Sequence, residues 1–139
     1  MLARRTLLAT AAAIPVAAAA TKPAVPPKPF ASYGQQCTGV AASPDGRIFL
    51  CSPRWETDTA ISVAELKGGK LVPYPDAGWN AWRNIKPLTP QDHFVCVQSV
   101  TCDGQGNLWV LDPAAPGLEF IIKGGPKLVK IDLRSNRVV

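Results

Sequence analysis

Two tryptophan-bearing segments carry the residues best suited to chemistry. Arg54, Trp55 and Glu56 follow a Ser-Pro pair, and Trp79, Asn80, Trp82 and Arg83 lie in a Gly/Pro-bounded stretch. Indoles offer flat apolar faces and one N–H donor. Trp55 and Trp82 beside Arg54 and Asn80 could therefore hold a small molecule by stacking, cation–π contact and hydrogen bonding. The plainer alternative is that Trp79 and Trp82, three residues apart, plug a gap between packed sheets.

Acid–base candidates are weaker. Asp112 ends an apolar run and could accept a substrate proton, although a carboxylate in that place more commonly caps the loop that follows. Gln98, next to Ser99, heads another run and could face a channel or satisfy neighbouring backbone groups. Asp92 and His93 are adjacent, and neighbours on an extended chain point opposite ways, so they make no dyad. The sequence contains no Gly-x-Ser-x-Gly, phosphate loop or zincin signature. Asp103-Gly104-Gln105-Gly106-Asn107 lacks the further carboxylates of a calcium loop and reads as a hairpin turn.

Cys37, Cys51, Cys96 and Cys102 are too sparse to complete a zinc set with the one His. No metal and no cofactor are expected. Four cysteines allow three disulfide connectivities, and buried free thiols are the alternative. Cys96 and Cys102 read as members of one strand, six residues and so about 20 Å apart, which is beyond bridging distance.

The elements that must position these residues come from an internal repeat. Residues 40–53 (VAASPDGRIFLCSP) align without a gap on residues 100–113 (VTCDGQGNLWVLDP) at an offset of 60, pairing Gly46 with Gly106 and Phe49 with Trp109. Residues 62–72 align on 129–139 at an offset of 67. Each unit reads strand, tight turn, strand, longer loop, strand, tight turn, strand. The turns 43–46, 67–70, 103–106 and 134–136 supply the Gly, Asn and Pro that tight turns require. Runs such as Ile48-Phe49-Leu50 are apolar on both faces, as in strands sandwiched between neighbouring sheets. The expected fold class is all-β: a β-propeller, of which this sequence supplies about two four-stranded blades. The sequence reads as the incomplete front of such a ring.

Strand parity then sorts the loops. The four tight turns emerge at one end of the sheets, and the long connections 53–59, 74–93 and 113–126 emerge at the other. Arg54, Trp55, Asn80 and Trp82 fall on the long-loop end, where propellers bind ligands.

The first 20 residues have a different character. Arg4-Arg5-Thr6-Leu7-Leu8 precedes an Ala-rich run, the pattern of an export leader with a twin-arginine signal. Residues 1–20 are expected to be a signal peptide, 21–29 a Pro-rich tether and 30–139 the folded part. The product is expected to be secreted or periplasmic, without a stable membrane anchor. The formal charge of +5 loses Arg4 and Arg5 with the leader. The remaining cations are scattered, so no nucleic-acid partner is expected.

The segments SPDGRIFLCSPRW (43–55), SVAELKGGKLVPYPDAGWNAW (62–82), FVCVQSVTCDGQGNLWVLDP (94–113) and GGPKLVKIDL (124–133) resemble the yellow / major royal jelly protein family. Its bacterial members are described as dopachrome-tautomerase-related. The resemblance covers nearly all of residues 30–139 and implies a secreted six-bladed propeller. A weaker likeness is to lactonase propellers, whose early metal-binding Glu is missing from Cys37-Thr38-Gly39-Val40.

Three functions follow as expectations. The first is binding of a small, aromatic or amine-like ligand at the long-loop face by Arg54, Trp55, Asn80 and Trp82. The second is a dopachrome-type isomerase using Asp112 or Gln98, and the third is a truncated product without autonomous function. Two blades alone need further blades or self-association to cover an exposed blade face.

Overall fold

A computed structural model describes residues 25–84 and 88–139. The chain divides into two units, Met1–Phe30 and Ala31–Val139. The expected leader lies outside the described residues, as does the start of the tether. Residues 25–30 are exposed and form no regular secondary structure. Among the described residues no helix is long and apolar enough to cross a membrane.

The second unit is all-β. Eight strands form two four-stranded antiparallel sheets, each in simple sequence order. Sheet one holds β1 (Gly39–Ala42), β2 (Ile48–Cys51), β3 (Val63–Lys67) and β4 (Lys70–Pro73). Sheet two holds β5 (Ser99–Cys102), β6 (Asn107–Asp112), β7 (Lys127–Asp132) and β8 (Arg137–Val138). One 3-10 turn, Pro116–Leu118, interrupts the connection from β6 to β7.

The sequence repeat is built identically in its first half. The β1–β2 turn closes when Ser43 Oγ accepts the N–H of Arg47 at 3.0 Å, and the β5–β6 turn closes when Asp103 Oδ1 accepts the N–H of Asn107 at 2.9 Å. Gly46 and Gly106 take φ of 85° and 83°, a left-handed conformation that a side chain would strain. In the second half the sheet register corrects the sequence alignment. Phe49 pairs with Glu65 and Trp109 with Lys130, so β3 and β7 are related by 65 residues, while Lys70 and Arg137 keep the offset of 67. The β7–β8 turn holds the two extra residues. The shift is even, so every side chain keeps its face.

A second correction concerns Cys96. It is not on a strand with Cys102, because β5 begins only at Ser99. The N–H groups of Val95 and Cys96 bond to the Asp112 carboxylate instead of a neighbouring strand. All four cysteines are free thiols in this structure.

The sheets stack front to back. The front of sheet one carries Ala41, Phe49, Cys51 and Val63, which share one core with Val100, Leu108, Val110, Val129 and Ile131 from the back of sheet two. By the repeat, sheet-one residues Phe49 and Cys51 correspond to Trp109 and Leu111, which lie on the opposite, uncovered face of sheet two. Gly39 marks the closest approach: a Cβ there would lie 3.0 Å from the Val100 nitrogen. Arg47 bridges the two sheets. Its Nη1 donates to the Leu133 carbonyl at 2.7 Å and its Nη2 to Asn136 Oδ1 at 2.8 Å.

Candidate functional site

The long connections meet at the end of the sheets opposite the tight turns, as strand parity predicts. Arg54 leaves β2 and turns inward, where it is 1% exposed. Its Nε donates to Asp58 Oδ1 at 3.0 Å, its Nη1 to the carbonyls of Phe94 and Val95, and its Nη2 to the Trp82 carbonyl at 2.9 Å. One guanidinium thereby ties the first connection to the second. Burial pulls its pKa down, partly offset by the charge of Asp58. The third connection joins through the N–H of Gly117, which donates to the Arg54 carbonyl at 2.8 Å.

Asn80 is likewise interior. Its Oδ1 accepts the N–H groups of Ser62 and Val63, and its Nδ2 donates to the carbonyls of Tyr74 and Asp76. Both donors and both acceptor sites are used within the protein. Asp112 is fully buried. Its oxygens accept the N–H groups of Val95, Cys96 and Ala114, and Lys127 Nζ lies 2.8 Å away. This carboxylate caps the loops on both sides of it. Gln98 is half-buried, and its main-chain N–H donates to the Leu111 carbonyl.

Around this framework lies a cavity of about 310 Å³. Trp55, Trp82, Phe120 and Ile122 give it apolar walls, and Glu56, Asp58 and Glu119 add carboxylates. Trp82 packs with Val95, Cys96 and Ala114 in a small core, with Trp55 and Ile122 against it. Trp79 instead stacks on Phe94, ring centres 5.1 Å apart, and serves the main core. The alternative of a plugged gap therefore holds for Trp79, while Trp82 both packs and lines the cavity.

The charges favour a cation. Glu56 and Glu119 are exposed and make no ion pair among the described residues. Two arginines nearby are already engaged. Arg54 is bonded as above, and Arg83 donates to the carbonyls of Asn80, Trp82 and Ala60. The indole N–H of Trp55 is the one buried side-chain polar group without a partner among the described residues.

Of the four predicted ligand-binding residues, the structure brings Arg54, Trp55 and Trp82 to the cavity and leaves Asn80 behind its wall. Sequence reasoning missed Glu119, Phe120 and Ile122. The signal available was an apolar run, 118–122, with one acid, inside a Gly/Pro loop. A second cavity of about 620 Å³ lies among the tight turns. Its acids are spent locally: Asp132 Oδ1 accepts the N–H and hydroxyl of Ser135, and Asp45 bonds to Ser43.

Among the described residues no group of three or more His, Cys, Asp or Glu is placed to hold a metal ion. Comparison with protein-family models finds no match, and comparison with curated proteins finds none.

Proposed function

We propose that residues 30–139 are two blades of an exported six-bladed β-propeller of the yellow / major royal jelly type, and that the cavity between its long loops binds a small aromatic amine. The observation that carries the ligand class is the lining itself. Trp55, Trp82 and Phe120 surround a space edged by Glu56 and Glu119, which make no ion pair among the described residues, while the nearby Arg54 and Arg83 are held by backbone carbonyls. Aromatic faces and carboxylates both attract an ammonium group.

The blade reading draws on the front-to-back stacking. In an ordinary sandwich two inner faces meet, whereas repeated units of one sense present the same face to each successive neighbour. The isomerase alternative has less support, because the carboxylate of Asp112, its main candidate, is saturated by three N–H groups and Lys127.

Isothermal titration calorimetry with tryptamine tests the reading. Saturable binding is expected, with no conversion of dopachrome. Absence of saturable binding of tryptamine or dopamine would sink the amine-binding reading, and turnover of dopachrome would restore the isomerase.

A further inference from the structure

We propose that a second copy of this chain docks head to tail on the front of sheet two, pressing the back of its own sheet one, around Val40, Ile48 and Leu50, onto Trp109, Leu111 and Leu128. The template is the interface already inside the molecule. There the front of sheet one meets the back of sheet two, and the repeat places Trp109 and Leu111 where Phe49 and Cys51 make that contact.

Both required surfaces stand open on one chain. Leu111 is 46% and Leu128 60% exposed on the front of sheet two, and Val40 is 63% exposed on the back of sheet one. Apolar side chains clustered on a sheet face mark an interaction surface.

Two finer features repeat as well. In sheet one a cation lies over the front-face ring, Arg47 over Phe49 at 5.0 Å, and reaches the neighbouring sheet's Leu133 carbonyl. In sheet two Lys130 lies 5.6 Å over Trp109, ready for a carbonyl of the incoming β3–β4 turn. At the inner edge Gly39 admits the backbone of β5, and its counterpart is another small residue, Ser99.

Such an interface is heterologous, so copies add in one direction until the rotation closes. Closure at three copies rests on the six-bladed reading, since each copy brings two sheets.

Sedimentation of the full chain over a micromolar range tests the proposal. A trimer is expected for the unaltered chain, with Leu128→Lys and Val40→Lys each monomeric. Mixed one to one, these two variants retain one intact front and one intact back and are expected to form a heterodimer and nothing larger. A folded monomer at every concentration overturns the proposal and leaves the face to another sheet. So does an oligomer that survives Leu128→Lys. A closed oligomer of another size upholds the docking and removes the six-bladed count, while calorimetric tryptamine binding reports separately on the ligand reading. Should a lysine variant lose its β-sheet circular dichroism, mild oxidation of a Val40→Cys chain mixed with a Ser99→Cys chain, both also carrying Cys37→Ser, decides the matter, because these two positions repeat the close approach of Val100 and Gly39. A disulfide-linked heterodimer is expected, and its absence overturns the docking.

Discussion

Arg47 and Glu65 form a two-pronged ion pair across β2 and β3, with Nε–Oε1 at 2.8 Å and Nη2–Oε2 at 2.9 Å. The same guanidinium bonds to Leu133 and Asn136 in the β7–β8 turn of the second sheet's unit, so the pair anchors a contact between the two units and not merely between strands. Replacing Arg47 with Met leaves the nearly buried Glu65 carboxylate with only Lys67 at 3.0 Å. A loss of about 1–3 kcal/mol is expected in urea unfolding, because a buried acceptor is stripped of its main partner. Arg47→Lys is expected to recover only part of this, since one ammonium cannot reproduce the fork.

The pair also sets an acid limit. Burial raises the Glu65 pKa, but hydrogen bonds and charge from Arg47 and Lys67 outweigh it and leave the group below 4.5. A carboxyl whose folded pKa is depressed stabilises the fold above its unfolded pKa and loses that contribution as pH falls through the folded value. Thermal melts of the unaltered chain are expected to fall in midpoint as pH drops below about 4.5. Glu65→Gln is expected to start lower at neutral pH and to lose less on acidification.

Gly39 faces a different constraint. A Cβ there would stand 2.9 Å from Cys51 Sγ and 3.0 Å from the Val100 nitrogen. Gly39→Ala is expected to cost about 1–3 kcal/mol in denaturant unfolding, the usual penalty of overpacking. Phe49→Ala, at a fully buried ring in the same interface, is expected to cost about 3–5 kcal/mol. Equal tolerance at Gly39 and at its exposed counterpart Ser99 would contradict the front-to-back stacking.

Asn80 separates architecture from binding. Its four hydrogen bonds join the start of β3 to the connection after β4, and it is 2% exposed. Asn80→Ala is expected to lower stability by about 2–4 kcal/mol, because several buried backbone groups lose partners together. Tryptamine affinity measured well below the melting temperature is expected to change little.

These cases show what the sequence makes legible. Turn residues and apolar runs determine the eight strands and their faces, because the period of two and the tight-turn chemistry are local properties. The two-residue shift of β3 against β7 was hidden, since Lys67-Gly68-Gly69-Lys70 and the longer turn before Arg137 align equally well as text. Arg54 and Asn80 looked like ligand residues because polar groups beside tryptophans suit either role. Only the backbone carbonyls and N–H groups around them decide the matter, and those arrive from Phe94 and Val95 for Arg54 and from Ser62 and Val63 for Asn80, distant in sequence.

Thiol reactivity tests the burial pattern. Cys51 is 1% exposed, and burial pushes its pKa up to about 11, so little thiolate exists near neutral pH. Burial raises the Cys96 thiol too. Brief iodoacetamide treatment of the folded chain at pH 7.5, read by peptide mass spectrometry, is expected to label the exposed Cys37 and spare Cys51 and Cys96. Early labelling of Cys51 would show that the interface between the sheets opens readily.

The carboxylates at the cavity test the ligand class most directly. Glu56 and Glu119 line it from different connections, are exposed, and hold no ion pair within the described residues. Glu119→Gln and Glu56→Gln are each expected to weaken tryptamine binding about two- to fivefold, the scale of a solvent-screened charge contact, with unchanged melting temperature. Raising salt from 0.05 to 0.5 M shortens the screening length and is expected to weaken binding to the unaltered chain more than to the double variant. A neutral indole should show neither effect. If it binds as tightly as tryptamine and responds to neither change, the aromatic walls act alone, and the site selects for flat apolar molecules and not for amines.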